Sequence, residues 1–286
     1  MDSGLLTLIS VFAFSFGACI ASFLNVVAWR VPRGESIVSP PSHCPKCRAP
    51  IRWYQNIPIL SWLALRGRCA NCRSPISPRY IVVETIGGCL FLAAFLQLRT
   101  ADFSSPLVVA RLAVSWTWIA LMIVGSSIDF YYKLLPDFVT VGGMVLGFAF
   151  HGAISLALFL TRRPELPERL VDYPIVLSVA GLCFGFGLLW LVRYFGSKAF
   201  GREAMGMGDV FLMGAVGALF GPVAVIVTLI LSSVFGSVVG VAMIALSKTR
   251  FGRFLEIPYG PYICLGCLVW MFYGPQLVSA YLGMFR

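Results

Sequence analysis

The sequence predicts an all-α polytopic membrane protein of about eight transmembrane helices, with a small zinc-binding cytoplasmic loop domain after the first helix. Three observations predict it. Hydrophobic residues make up 59% of the 286 and charged residues only 12%, where soluble domains carry roughly 25% charge. Mean hydropathy is +0.87, and apolar runs of about 20 residues, the length a bilayer crossing needs, recur along the chain. Two Cys-x2-Cys pairs fall in the one long polar segment.

Each element follows from local composition. The first span covers residues 5–29. No basic cluster precedes Leu5, and Arg30 and Arg33 follow the apolar run. That is the reverse of a cleavable signal peptide, so a retained helix with its N-terminus outside is expected. Residues 1–30 form the first domain on this reading. Residues 31–79 form the polar second one, where Cys44-Pro-Lys-Cys47 and Cys69-Ala-Asn-Cys72 are separated by 21 residues. Such a pair of knuckles suits a tetrahedral Zn²⁺ ion. Lys46, Arg48, Arg68 and Arg73 favour the thiolate form that binds metal. Four thiolates close the shell without His43, so the metal is structural and folds a segment with little core of its own.

The remaining spans, in residues 80–286, are 81–98, 107–128, 138–160, 173–195, 210–221, 223–247 and 259–283. The apolar stretch from Val210 to Ser247 is too long for one helix, and Gly221-Pro222 offers the break. Eight crossings put 16 of the 22 Lys and Arg, counting Arg193, on the inner side, as the positive-inside rule requires. Loop topology therefore accounts for the net charge of +10, and a nucleic-acid partner is not expected. Arg162, Arg163 and Arg169 fall outside, interleaved with Glu165, Glu168 and Asp172 as a solvated face. No inverted repeat of the transporter kind is evident. Cys19, Cys89 and Cys183 lie singly in apolar spans, and Cys264 and Cys267 read as small packing residues.

Two acids stand against hydrocarbon. Asp129 closes the run from Leu107 to Ile128, and Asp209 opens the run from Val210. An ionisable group in that position marks a functional site by default. Both fall on the inner side of the predicted topology, so they can form a carboxylate dyad for acid–base hydrolysis. The helix dipole makes Asp209, at a helix start, the more readily ionised partner. Gly206 and Gly208, flanking Met207, let an extended substrate approach the acid. Asp137, after Pro136, reads as a helix-start charge. Glu84 pairs with Arg79 or Arg30 on the simpler reading, and Glu256 with Arg253. His151 reads as a packed or interfacial histidine.

Taken together, the motifs resemble the type IV prepilin peptidase family. The resemblance is carried by Ala21-Ser-Phe-Leu-Asn25, His43-Cys-Pro-Lys-Cys47, Asn56-Ile-Pro-Ile-Leu-Ser-Trp62, Cys69-Ala-Asn-Cys72, Ile76-Ser-Pro-Arg-Tyr80 with Glu84, Asp129 with Leu135-Pro136-Asp137, Gly206-Met-Gly-Asp209 and Ile257-Pro-Tyr-Gly-Pro261. It implies catalytic Asp129 and Asp209, and metal ligands Cys44, Cys47, Cys69 and Cys72. It implies cleavage of type IV prepilins or pseudopilins at the cytoplasmic face of the bacterial inner membrane. N-methylation of the new terminus with S-adenosylmethionine as donor is implied too. Residues 31–79 are then linked to methyl transfer and 80–286 form the protease core. No Gly-x-Gly-x-x-Gly of the dinucleotide-binding kind is present, so Asn25, Arg79 and Glu84 are the candidates for the donor site. Phe211 departs from the resemblance, standing where the family usually has Lys. Two rivals are a cation- or proton-coupled transporter using Asp129, Asp137 and Asp209, and a zinc-folded scaffold without chemistry.

Overall fold

The computed structural model describes residues 3–161, 174–246 and 258–284. Nine α-helices are found among them: α1 Ser3–Arg30, α2 Leu60–Ala64, α3 Arg79–Gln97, α4 Pro106–Tyr132, α5 Asp137–Thr161, α6 Pro174–Phe200, α7 Met207–Phe220, α8 Pro222–Leu246 and α9 Gly260–Gly283. The described residues contain no β-strand, only two isolated bridges in the cysteine loop. Seven helices are long and apolar enough to cross a membrane, and α7 is a shorter apolar helix. Side chains such as Leu8, Val11, Phe12, Phe159, Val241 and Ile244 point outward from these helices and stay exposed. Helices apolar on all sides, with large hydrophobics left outside, belong in lipid. The chain is therefore a multi-pass membrane protein.

All eight expected spans correspond to helices, with ends within a few residues. The break at Gly221-Pro222 is real: Gly221 takes φ +84°, a left-handed conformation that favours glycine, and Pro222 opens α8. The acidic and basic loop 162–172, the cluster Lys248, Arg250 and Arg253, and the Glu256–Arg253 pair lie outside the described residues.

The chain divides into two compact units, Met1–Ile128 and Asp129–Arg286, with the boundary inside α4. In the first unit α1 and α3 pack antiparallel through small residues. An added Cβ on Gly17 would lie 2.5 Å from the Phe91 Cβ, and one on Gly87 would meet the Ala21 Cβ. Trp116 of α4 donates from its indole Nε1 to the Phe91 carbonyl at 3.0 Å. The loop between α1 and α3 carries two short 3₁₀ turns and α2.

In the second unit α7 is the innermost helix: Asp209, Val210 and every residue from Leu212 to Leu219 are buried. A seam of glycines makes this possible. A Cβ on Gly181 would strike the Gly217 carbonyl oxygen, and one on Gly217 the Gly181 carbonyl oxygen. Gly147 of α5 approaches the Ala218 carbonyl carbon so closely that its Cβ would sit 2.7 Å away. Ser178 adds a hydroxyl bond to the Ala218 carbonyl at 2.6 Å. Such small-residue contacts are how membrane helices bring backbones together.

Candidate active site and metal centre

The four loop cysteines converge. Their sulfurs all lie within 4.8 Å of one another, with Cys44 to Cys72 at 3.8 Å and Cys47 to Cys69 at 4.0 Å. At a Zn–S distance of about 2.3 Å, a tetrahedron has edges of about 3.8 Å, so the donor set fits one zinc ion. N–H groups of Cys47 and Lys46 beside the Cys44 sulfur push its thiol down to about 6, while burial and the neighbouring Cys44 and Cys72 sulfurs push the Cys69 thiol up. The Ser74 hydroxyl and N–H lower the Cys72 thiol.

The two knuckles are copies of one another, which the sequence reading missed. Cys44-Pro-Lys-Cys47-Arg-Ala-Pro-Ile51 and Cys69-Ala-Asn-Cys72-Arg-Ser-Pro-Ile76 share a pattern 25 positions apart. Each closes through an isolated bridge, His43 with Pro50 and Arg68 with Pro75. In each, the arginine after the second cysteine takes a left-handed φ, 56° at Arg48 and 58° at Arg73. The signal was present as Cys-x2-Cys-Arg-x-Pro-Ile.

The donor-site candidates lie at one end of the α1–α3 pair. Gly17 meets Phe91 and Gly87, and Ala21 meets Gly87, so Asn25, one turn on, reaches the level of Glu84. Asn25 is 3% exposed, and neither its amide nitrogen nor its oxygen has a hydrogen-bond partner. Glu84 is buried and accepts the Ile59 N–H at 2.7 Å. Arg30 turns elsewhere, donating to the carbonyls of Ser36 and Pro40. Arg79 opens α3. Ile59 itself has φ 63° and ψ −56°, with the Leu60 N–H bonded to the Pro58 carbonyl at 2.6 Å. This is a γ-turn of the strained hand, rare for a β-branched residue. Asn56 and Pro58, just before it, line a cavity of about 380 Å³ with Cys19, Phe23 and Arg30.

Asp129 and Asp209 come together in the second unit. Asp129 lies in the last turn of α4 and Asp209 in the first turn of α7. They are 6% and 8% exposed and within electrostatic reach of one another. Leu135, in the α4–α5 connection, packs at 2.9 Å from the position of a Cβ on Gly208 and 3.2 Å from that of one on Gly260. The Gly260 N–H, at the start of α9, donates to Asp129 Oδ2 at 3.0 Å. The dipole argument for Asp209 is thus incomplete, because each carboxyl faces a helix N-terminus: Asp209 its own, Asp129 that of α9. Leu135 and Gly260 stood in the sequence only as members of the motifs Leu135-Pro136-Asp137 and Ile257-Pro-Tyr-Gly-Pro261, because an apolar leucine and a helix-start glycine carry no chemical signal of their own.

The other acids and candidates take ordinary places. Asp137 is exposed in the first turn of α5. His151 is half-buried with Nδ1 at 2.9 Å from the Gly147 carbonyl. Cys264 and Cys267 are buried in α9. Phe211 packs against Phe186 with ring centroids 5.5 Å apart.

Fold and site define a class: a polytopic helical membrane protein with two buried carboxyls at helix ends and a four-thiol loop. Comparison with known proteins gives the family. Residues 15–98 match the bacterial peptidase A24 N-terminal domain and residues 116–241 the type IV leader peptidase family. A prepilin leader peptidase/N-methyltransferase of Stutzerimonas stutzeri is 31% identical, over 96% of this chain and 94% of its own. One from Myxococcus xanthus is 39% identical over 83% of this chain, a match spanning 64% of that longer relative. A type 4 prepilin-like proteins leader peptide-processing enzyme of Escherichia coli is 32% identical over 87% and 88% of the two chains. No solved structure matches. The chain belongs to the type IV leader peptidase family.

Proposed function

We propose that the protein is a bifunctional prepilin leader peptidase. It removes the basic leader of type IV prepilins or pseudopilins at the cytoplasmic face of the bacterial inner membrane, then N-methylates the new terminus. The observation that carries the peptidase reading is the meeting of two buried carboxyls, Asp129 and Asp209, from helices eighty positions apart. One carboxylate takes a proton from a bound water, whose oxygen attacks the scissile carbonyl. The other, protonated, donates to the carbonyl oxygen. Proton transfer to the leaving nitrogen then breaks the C–N bond, and no covalent acyl intermediate forms. Gly206, exposed just before α7, leaves backbone open beside Asp209 for an extended substrate, while Leu135 covers Gly208. The substrate's own apolar helix, lying in the same bilayer, brings the leader to the site.

S-adenosylmethionine supplies an electrophilic methyl group when bound. Asn25, Arg79 and Glu84 would hold it, and the fit rests on Asn25, whose buried amide has both its donor and its acceptor unspent. Glu84 fixes the strained turn at Ile59 and so the Asn56–Pro58 wall of the adjoining cavity. Cys44, Cys47, Cys69 and Cys72 would hold a structural Zn²⁺, which would fold residues 31–79 around this end of the first unit.

The test is mass spectrometry of a purified prepilin after incubation with the protein and donor. Cleavage and a methyl increment on the new terminus are expected in one spectrum. An uncut precursor would leave the transporter reading, and cleavage-independent binding that tolerates both aspartate substitutions would leave the scaffold.

A further inference from the structure

We propose that the entry turn of α9 is a positioning device for Asp129 in the cleavage reaction, with the Gly260 N–H as its working group. The proposal rests on the reading of Asp129 and Asp209 as the hydrolytic pair.

A helix start leaves its first N–H groups without intrahelical partners. In α9 their distribution is specific. Pro261 has no N–H. Those of Tyr262 and Ile263 fold back onto the Tyr259 carbonyl at 3.0 and 3.2 Å. The Gly260 N–H instead donates to Asp129 Oδ2, 131 positions away in sequence, in a buried bond of 3.0 Å.

The glycine is required by the carboxyl and not by the backbone. Gly260 is absent from the glycines with positive φ, so its conformation is open to any residue. A Cβ at this position, however, would lie 2.6 Å from the same Oδ2 and 3.1 Å from the Asp129 Cγ. Alanine therefore cannot be placed without displacing the carboxyl that the N–H holds.

The turn is itself anchored. The Tyr259 hydroxyl lies 2.7 Å from the Ser232 Oγ and 3.3 Å from the Ser233 Oγ, both on α8, and Ser232 is fully buried. Leu135 closes the other side, against Gly260 and against Gly208 beside Asp209. Oδ2 is thereby pinned, and Oδ1 is left to meet water or the second carboxyl. Gly260 is a positioning residue: it touches Asp129, not the reacting atoms.

The experiment is steady-state cleavage of a purified prepilin by Gly260→Ala and Tyr259→Phe, beside the parent protein in the same lipid vesicles. Misplacing a catalytic group by an ångström costs up to about a hundredfold. Gly260→Ala is expected to lose at least about tenfold in kcat with KM within about twofold, and Tyr259→Phe about threefold with the same split. Methyl transfer to a pre-cleaved peptide and the thermal midpoint should stay at parental values in both. Parental kcat in Gly260→Ala overturns the proposal. So does a loss in which KM, methyl transfer and midpoint all move together. If Gly260→Ala does not fold, Tyr259→Phe decides: a kcat loss at constant KM supports the device, and parental kcat overturns it. A parent protein that leaves prepilin uncut sinks the dyad reading instead, so the two failures are distinct.

Discussion

Asp129 and Asp209 are single residues whose loss should show in one assay and not in the other. A positioned acid or base is worth roughly 10²–10⁴ in rate. Asp129→Asn and Asp209→Asn should each slow leader cleavage by at least about a hundredfold, while methylation of a pre-cleaved peptide continues. Cleavage at near-parental rate by either variant would remove the dyad. Cys44→Ser and Cys69→Ser should each abolish binding of about one zinc per chain and expose residues 31–79 to protease; a variant that keeps full metal content refutes the four-thiolate shell. These acids and thiols were legible in the sequence because each is chemically anomalous where it stands: a carboxyl against hydrocarbon, thiols in pairs. Gly260 and Ile59 were legible only as members of motifs, with no role of their own. Both act through a backbone N–H, one on Asp129 and one on Glu84, and a backbone group is written the same way in every residue.

Among the elements, α7 shows most clearly how sequence and packing divide the work. Its start, its end and the Gly221-Pro222 break follow from composition and turn chemistry. Its place at the centre of the second unit does not, because it depends on which glycines face which carbonyls. Gly181→Ala and Gly217→Ala each push a methyl into a facing backbone. Backbone cannot rotate away as a side chain can, so each should cost about 1–3 kcal/mol or more and lower the thermal midpoint in detergent. Gly142→Ala and Gly187→Ala, with nothing within 4 Å of the new Cβ, should leave the midpoint unchanged or slightly raised. Equal effects at all four positions would show that the seam does not hold the helices. The duplicated knuckle was also written in the chain, as Cys-x2-Cys-Arg-x-Pro-Ile twice. Cysteine spacing alone drew attention to the ligands and away from the repeated turn around them.

For the molecule as a whole, composition fixes residence in the bilayer and the distribution of charge argues its orientation. All four lysines, Lys46, Lys133, Lys198 and Lys248, fall in segments assigned to the cytoplasmic side. An impermeant amine reagent added to intact cells should therefore modify none of them, and the same reagent on inverted vesicles should reach them. Labelling of Lys46 or Lys198 from outside the cell would reverse the orientation and with it the assigned face of both activities.

The length of α7 bears on how the proposed hydrolysis would reach water in such surroundings. The 14 residues of α7, at about 1.5 Å each, make a rod of about 21 Å, against a hydrocarbon slab about 30 Å thick. A rod that short does not span the slab when it stands upright. On the proposed hydrolytic reading, Asp209 at its tip then lies below the slab's edge, and water has to descend to the acid to reach a peptide there.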